Sequence, residues 1–322
     1  MKIIEVKNFS FRYANGDRDS LENVTLDVEE GTFNVLCGKS GCGKSTLLRQ
    51  LKSDLAPYGS KSGRICYYGQ NLTEIDHRQQ SQEIGYVLQN PENQIVTDKV
   101  WHELAFGLES LGYDTPSIRL RVAEMASYFG IHQWFYKNVS ELSGGQKQLL
   151  NLAAIMAMHP KLLILDEPTA VLTPQETEKL FAVLRNMKKD GKSIIIITHK
   201  LHEVLAISDR VAILRKGEYI GAVETAKTNQ AELTEMMVGR PVSLEIDRPK
   251  QERSIERLQV IGLTCLNGEG VKALDNVSFS AYGGEILGVA GIAGSGQKEL
   301  CEAIAGLYPA IGGSVLYAGE HN

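Results

Sequence analysis

The chain has 322 residues, 43% of them hydrophobic and 23% charged, with a formal net charge of −5. This length exceeds a typical single core and predicts two domains or parts of domains. The acidic balance and the absence of a long basic run argue against a sequence-independent nucleic-acid binder. Five scattered cysteines without a CxxC pair favour a reduced, cytosolic setting.

Neither a secretion signal nor a membrane span is expected. The N-terminal residues MKIIEVKNFSFRY include no apolar core followed by a small-residue cleavage site. The longest mostly apolar run, Leu149 to Met158, is about half the length that a bilayer requires. Any association with a membrane is therefore expected to depend on partner proteins.

A glycine loop, GKSGCGKST, joins a predicted strand over Phe33–Cys37 to a helix predicted to begin near Lys44. Its G-x-x-x-x-G-K-S pattern in this context predicts phosphate binding through backbone N–H groups and the helix N-terminus. Lys44 is expected to reach the β- and γ-phosphates, and the Ser45 hydroxyl to ligate Mg²⁺. The predicted ATP-binding residues of this loop are Gly38, Lys39, Ser40, Gly41, Cys42, Gly43, Lys44, Ser45 and Thr46.

Cys42 lies in this loop beside Lys44 and a helix N-terminus, which predicts a lowered thiol pKa. Alkylation of Cys42 would then block ATPase activity, and bound ATP would protect it. The alternative is that Cys42 is a small residue that the loop tolerates.

Two helices are indicated before the next strand. In the first, Thr115 is the expected cap, Pro116 takes the first helical position, and Ile118, Val122, Met125 and Phe129 share one face. In the second, Ser143 is the expected cap and Gly144 and Gly145 leave the first N–H groups bare. Its expected apolar face is formed by Leu149, Leu152, Ala153 and Met156, and Pro160 ends the pattern. A bare helix start is a second anion site and suggests that two copies share nucleotides.

An acidic pair follows the apolar run KLLIL. Leu162 to Leu165 predict a buried strand that ends at Asp166 and Glu167, where α/β sheets bind ligands. Asp166 suits the Mg²⁺ shell, and Glu167 is placed to orient or deprotonate an attacking water molecule.

The chain repeats itself at a constant offset of about 253 residues. The stretch beginning SLENV at Ser20 aligns with the stretch beginning ALDNV at Ala273. The repeat predicts one complete unit over 1–240, a polar linker over 241–257, and a second, truncated unit over 258–322.

The segment LSGGQ (Leu142 to Gln146), followed by LLILDEP, resembles the ATPase subunit of an ABC transporter. The resemblance implies an α/β P-loop NTPase fold of ABC type, with a mixed sheet core, an antiparallel β-subdomain and a helical subdomain over about 90–157. It also implies that Tyr13 stacks on adenine, that Gln89 is the Q-loop glutamine and a Mg²⁺ ligand, and that His199 is the switch histidine.

The same resemblance implies an ATPase that closes as a head-to-tail pair around ATP and Mg²⁺. The signature residues Leu142, Ser143, Gly144, Gly145 and Gln146 of one domain would bind the γ-phosphate held by the P-loop of the other. Its partners would be a second ABC ATPase domain and integral-membrane permease subunits, with no nucleic acid. The protein would be peripheral on the cytoplasmic face of the cell membrane and would power import.

The two halves of the chain resemble different branches of this family. Residues 1–169 resemble the ATPases of energy-coupling factor transporters, which import vitamins and metal ions, and residues 170–322 resemble two-domain simple-sugar and nucleoside importer ATPases. The usual aspartate that follows the acidic pair is replaced by Thr173, which with Glu176 predicts a capping box.

Two rival functions are a soluble two-domain ABC protein acting on the ribosome or nucleic acid, and a non-catalytic ATP-gated regulatory module.

The second glycine loop, GIAGSGQKE, has Gln297 where the first has Lys44. A unit charge near a phosphate contributes roughly 4 kcal/mol, so its loss lowers affinity or rate by up to about three orders of magnitude. Lys298 is expected to point elsewhere, and Cys265, Leu266 and Asn267 stand near the position of Tyr13. The second loop is expected to bind nucleotide weakly and not to hydrolyse it.

Overall fold

The computed structural model describes residues 1–241, 255–267, 270–291, 295–318 and 320–321. The chain divides into two compact units, Met1–Leu244 and Glu245–Asn322. Most of the predicted linker lies outside the described residues. Its last two positions, 256 and 257, already belong to the first strand of the second unit. Among the described residues, no helix combines the length and the apolarity needed to cross a membrane.

The first unit is built on a mixed sheet. Its strands are β1 (Lys2–Tyr13), β2 (Leu21–Glu29), β3 (Phe33–Cys37), β4 (Gly59–Tyr67), β5 (Gln70–Asn71), β6 (Ile84–Val87), β7 (Leu162–Asp166), β8 (Ser193–Ile197), β9 (Arg210–Arg215) and β10 (Glu218–Glu224). They lie in the order β5-β4-β1-β2-β10-β9-β3-β8-β7-β6. Strands β9, β3, β8, β7 and β6 are mutually parallel, whereas β2, β1, β4 and β5 pair antiparallel.

Every residue of β3, β7 and β8 is buried, as central parallel strands covered on both faces require. Because these strands are parallel, their carboxyl ends lie at one edge of the sheet. The glycine loop after β3, the acidic pair at the end of β7 and the residues after β8 therefore emerge together.

Eight helices accompany this sheet in residues 1–241. They are α1 (Lys44–Gln50), α2 (His77–Glu83), α3 (Val100–Ser110), α4 (Thr115–Tyr128), α5 (Gly144–Ala157), α6 (Pro174–Lys189), α7 (Leu201–Ile207) and α8 (Gln230–Val238). The predicted starts of α1 at Lys44 and of α5 after the cap Ser143 are confirmed.

Helices α3, α4 and α5 pack around one apolar cluster, which includes Leu104, Val122 and Leu150. The predicted cap at Thr115 is wrong: the N-cap of α4 is Asp114, whose carboxylate accepts from Ser117 N. An aspartate one residue earlier reaches the same first-turn amide, so Thr115 becomes the first helical residue. The single apolar face predicted for α5 is also too narrow, because this helix lies between the sheet and α3 and is buried on several sides.

The second unit contains β11 (Glu256–Leu266), β12 (Lys272–Tyr282), α9 (Gln297–Ile304), β13 (Gly312–Tyr317) and β14 (Glu320–His321). Its strands form an antiparallel sheet in the order β12-β11-β13-β14. A small apolar cluster that includes Val260, Leu274 and Leu300 joins α9 to this sheet.

Candidate functional site

A cavity of about 720 Å³ opens at the carboxyl edge of the parallel strands. Its lining includes most of the glycine loop and, from other parts of the chain, the predicted residues Tyr13, Gln89 and Glu167. The structure thus brings the predicted residues of β1, the glycine loop, the segment after β6 and the segment after β7 into one cavity. Basic side chains that the sequence did not single out, Arg18 and Arg215, also line it.

The glycine loop is shaped by close backbone contacts. An ideal Cβ at Gly38 would lie 2.1 Å from Leu214 O, and one at Gly43 would lie 2.7 Å from Ser20 O. Gly43 also has a φ of 99° at the cap of α1, a conformation that favours glycine. Lys44 is buried, and its Nζ donates to Gly38 O at 2.9 Å and Lys39 O at 3.0 Å, so the cation is held inside the loop.

The lowered pKa predicted for Cys42 is wrong. Cys42 is buried, and that burial raises the pKa of its thiol, more than the nearby charge of Lys44 lowers it. The side chain packs inside the loop, where its Sγ would lie 2.6 Å from a Cβ at Gly38. The desolvation of the thiolate therefore outweighs the helix terminus and the neighbouring cation.

The Ser45 hydroxyl donates to Asp166 Oδ1 at 2.9 Å, so two of the three residues predicted to hold Mg²⁺ are adjacent. Asp166 is buried, and this burial raises the pKa of its carboxyl, while hydrogen bonds from Ser45 and Tyr86 lower it. Oxygen donors of this kind are the ligands that Mg²⁺ prefers, so the residues present fit the ion.

Tyr86 was not predicted. It lies in β6, and its hydroxyl donates to Asp166 Oδ2 at 3.2 Å, so that Ser45 and Tyr86 occupy opposite oxygens of one carboxylate. Burial raises the pKa of the Tyr86 phenol, which therefore remains a proton donor. Its signal in the sequence was a single hydroxyl in the apolar strand IGYV.

Glu167 meets the two other predicted catalytic side chains. Gln89 Nε2 donates to Glu167 Oε2 at 3.1 Å, and His199 Nδ1 lies 3.8 Å from the same oxygen. The backbone of Glu167 has a φ of 47°, in the left-handed region. Such a conformation is unfavourable for a residue with a Cβ and is found disproportionately at active sites.

A buried polar network supports the loop that carries His199. Glu203, 2% exposed, accepts from Thr169 Oγ1 at 2.9 Å and from Thr198 Oγ1 at 2.7 Å, and its other oxygen lies 3.1 Å from Lys200 Nζ. It therefore links the segment after β7 to the segment after β8. Sequence reasoning missed Glu203, whose signal was a carboxylate beside the apolar positions of α7.

Tyr13 ends β1 and is 38% exposed. Its ring packs edge-on against Phe11 at a centroid distance of 5.0 Å, and its hydroxyl shares a hydrogen bond of 2.9 Å with Thr46 Oγ1. One face of the ring is thus left at the cavity, next to the glycine loop.

The signature residues Leu142 to Gln146 form the start of α5. Ser143 Oγ accepts from Gln146 N at 3.2 Å, and Gln146 Oε1 accepts from Ser143 N at 2.9 Å, which completes a capping box. Of the described residues in the first unit, those lining the 720 Å³ cavity do not include Leu142 to Gln146. The two predicted anion sites are therefore separate within one chain.

Helix α5 also holds the loop that carries Gln89. Gln148 Nε2 donates to Leu88 O at 3.4 Å, Asn151 Nδ2 donates to Pro91 O at 3.1 Å, and Lys147 pairs with Glu92. These contacts lie on both sides of Gln89, so a movement of α5 would be transmitted to that side chain.

Comparisons with known proteins identify the relatives of this chain. The family described as ABC transporter matches residues 21–170. A putative ABC transporter ATP-binding protein of Bacillus anthracis is 41% identical over 76% of this chain and 44% of its own length. A ribose import ATP-binding protein of Streptomyces avermitilis is 36% identical over 93% of this chain and 56% of its own length.

Among solved structures, CbiO1 of Clostridium perfringens, part of the ABC transporter complex CbiONQ, is 30% identical with a TM-score of 0.64. The match covers 74% of this chain and 94% of CbiO1. The chain belongs to the family of ABC transporter ATP-binding proteins, and the predicted fold class is confirmed. These relatives represent both of the family branches that the two halves of the sequence resemble. The chain spans about half the length of the curated relatives it matches.

Proposed function

We propose that this chain is the ATP-binding and ATP-hydrolysing subunit of an ABC importer. One observation carries the proposal: Gln89 and His199 both approach the carboxylate of Glu167 at the cavity formed by the glycine loop. Phosphate-binding groups and a positioned base in one cavity are what hydrolysis of a nucleoside triphosphate requires.

Each residue near the phosphates has a separate role in this proposal. The N–H groups of residues 38–46 and the Lys44 ammonium bind the phosphates, and the exposed face of Tyr13 stacks on adenine. Ser45, Asp166 and Gln89 would hold Mg²⁺. When bound, this ion supplies charge stabilisation at the β- and γ-phosphate oxygens.

Glu167 accepts the proton of the attacking water molecule, and its carboxylate is held in place by Gln89. His199 is 60% exposed and is free to contact the γ-phosphate while remaining beside Glu167. The regulatory alternative is disfavoured because Lys44, Asp166, Glu167 and His199 are all in place.

The functional state is proposed to be a head-to-tail pair of ABC ATPase domains. The signature turn lies outside the nucleotide cavity of its own chain, and the first N–H groups of α5 have no partner within the helix. Ser143, Gly144 and Gly145 would bind the γ-phosphate held by a second domain.

Permease subunits in the membrane are the proposed partners, with this chain on the cytoplasmic face. A groove of about 600 Å³ between the helical subdomain and α2 is lined by apolar side chains such as Val96, Phe106 and Met158. Val96 and Phe106 are 65% and 38% exposed, so the groove presents an apolar surface that a cytoplasmic segment of the permease would bind. Phe106→Asp is expected to abolish copurification with the permease, whereas Tyr136→Asp, at an 81% exposed ring elsewhere, leaves it intact.

The transported class is proposed to be simple sugars or nucleosides, with vitamins or metal ions as the other candidate. The name of the Streptomyces relative states ribose import, and that relative matches most of the chain, including its second unit. The CbiO1 likeness supports the second candidate and covers a smaller part. The names of these relatives refer to transport, which does not support a role on the ribosome or on nucleic acid.

The domain organisation is proposed as predicted, with an ATPase domain over 1–240, a linker over 241–257 whose last two positions lie in β11, and part of a second ATPase domain over 258–322. The second unit repeats the local features of the first, with an antiparallel sheet and a helix that begins after a glycine loop.

The test is a Glu167→Gln variant, with Glu178→Gln on the exposed side of α6 as its control. We expect Glu167→Gln to lose phosphate release while ATP-dependent dimerisation is retained, and Glu178→Gln to behave as the parent. Unchanged phosphate release in Glu167→Gln would refute hydrolysis at this site. Copurification from the native membrane would identify the permease, and isolation with ribosomes instead would support the rival function.

A further inference from the structure

The carboxylate of Glu176 lies against Gly145 of the signature turn. An ideal Cβ at Gly145 would be 2.3 Å from Glu176 Oε1 and 2.5 Å from Oε2, distances that real Cβ atoms do not reach. Gly145 is buried and thus leaves the room that this carboxylate occupies. A side chain at position 145 would therefore push this carboxylate out of the place that it occupies.

Glu176 is itself firmly fixed. Its Oε2 accepts from Thr173 N at 2.9 Å and from Thr173 Oγ1 at 3.0 Å, and its own N donates back to Thr173 Oγ1 at 3.3 Å. This confirms the predicted capping box of α6. Leu180, Phe181 and Leu184 anchor α6 in the apolar cluster under the parallel strands, so the carboxylate sits on a rigid helix.

The signature turn meets the same segment at a second point. An ideal Cβ at Gly144 would lie 3.9 Å from Val171 Cβ, in ordinary van der Waals contact. The anionic Glu176 also lies at the N-terminal end of α5, where the helix dipole favours negative charge. The start of α5 and the segment from Val171 to Glu176 therefore form one packed unit.

We propose that Glu176 is a positioning residue for the signature turn. Its carboxylate, fixed by Thr173, sets the distance between Gly145 and the segment that follows Glu167. Two segments of one chain then move together. One is the signature turn, which would contact the γ-phosphate held by a second domain, and the other is the loop that carries the base Glu167. This inference rests on the proposed function for its consequence in catalysis, whereas the contact itself is tested without nucleotide.

The first test measures hydrogen exchange at the amides of Gln146 and Lys147 in nucleotide-free protein. These amides bond to Ser143 Oγ and Ser143 O in the first turn of α5. Glu176→Ala is expected to speed their exchange by about tenfold, because the turn loses its support. Glu176→Gln keeps the shape of the side chain and one acceptor oxygen, so its exchange rates are expected to stay near those of the parent. The control Glu178→Ala is also expected to exchange at the parent rate. Unchanged exchange in Glu176→Ala overturns the proposal, whatever the function of the chain.

The second test is a double-mutant cycle with Gly145→Ala, Glu176→Ala and both together. The added methyl group collides with the carboxylate only while Glu176 is present, so Gly145→Ala should lower the ATPase rate at least about tenfold more in the parent background than in Glu176→Ala. Affinity for a fluorescent ATP analogue should stay within about twofold in all chains, because the glycine loop lies apart. Additive effects, or a shared loss of nucleotide affinity, would overturn the proposal. An inactive parent chain would instead refute the proposed function and leave the exchange result standing.

Discussion

The two glycine loops of this chain share their spacing but not their surroundings. The first follows β3, which lies between β8 and β9 with all five residues buried. The corresponding apolar run of the second unit, residues 286–290, forms no strand, and Ile286 and Val289 are 92% and 52% exposed. Central parallel strands depend on partners that are distant in sequence. The glycine pattern alone therefore does not build the site.

The loop-to-helix turn, in contrast, forms in both units. Helix α1 begins at Lys44 after Gly43 with a φ of 99°, and α9 begins at Gln297 after Gly296 with a φ of 87°. Gln297 also folds back on its loop, since a Cβ at Gly291 would lie 2.7 Å from its Nε2. The turn is a local property of the sequence, whereas the strand that presents it is not.

The largest expected effect on ATPase activity comes from replacing Lys44 of the first loop with glutamine, the residue that the second loop has at this position. Lys44→Gln removes a cation beside the phosphates and should lower ATPase activity by about three orders of magnitude. Phosphate release and nucleotide affinity are the measurements. Lys298→Gln is the control, because that side chain is 79% exposed and pairs with Glu302. Comparable losses in both variants would mean that the second loop contributes to the reaction.

Thiol reactivity compares Cys42, in the first glycine loop, with Cys301, on the helix that follows the second. Cys301 on α9 is exposed, whereas Cys42 is buried with a raised pKa and Cys37 has a pKa of about 12. A raised pKa leaves less thiolate at neutral pH, so Cys301 should be alkylated about 100-fold faster than Cys42. Labelling of Cys42 should increase as pH rises toward its raised pKa. Peptide mass spectrometry at two pH values measures both, and equal rates at neutral pH would contradict the expectation.

Tyr86→Phe tests the support of Asp166, a residue of the first unit. The variant loses the hydrogen bond to Asp166, which should raise the Mg²⁺ concentration for half-maximal ATPase activity by about tenfold. Tyr113→Phe, in the helical subdomain, is the control. A Mg²⁺ dependence like that of the parent would limit Tyr86 to a packing role.

The smallest effect is expected for Gln297→Lys. The cation is restored, but residues 286–290 still form no strand and Leu266 stands where Tyr13 lies in the first unit. Total ATPase activity should change by less than about twofold. Activity that survives in Gln297→Lys combined with Lys44→Gln would show that charge alone separates the two loops.

The sequence predicted those parts of the site that depend on short, local patterns. Phe33–Cys37, the start of α1, the cap of α5 and the box of Thr173 with Glu176 follow from neighbouring residues and formed as expected. Tyr86 was missed because its partner Asp166 is 80 residues away along the chain, and Glu203 was missed because it joins Thr198 to Thr169, which is 34 residues away. The pKa of Cys42 was predicted in the wrong direction, since the depth of burial depends on how Leu214 and Gly38 close around the loop.

Because Glu167 has a left-handed backbone, we expect thermal stability and activity to favour different residues at position 167. Glycine takes such a φ without the steric cost that a Cβ imposes, which is about 1 kcal/mol. A Glu167→Gly chain should therefore melt at or slightly above the parent temperature in calorimetry while losing the carboxylate that Gln89 and His199 approach. The proposed reaction, and not the fold, therefore accounts for a glutamate at position 167.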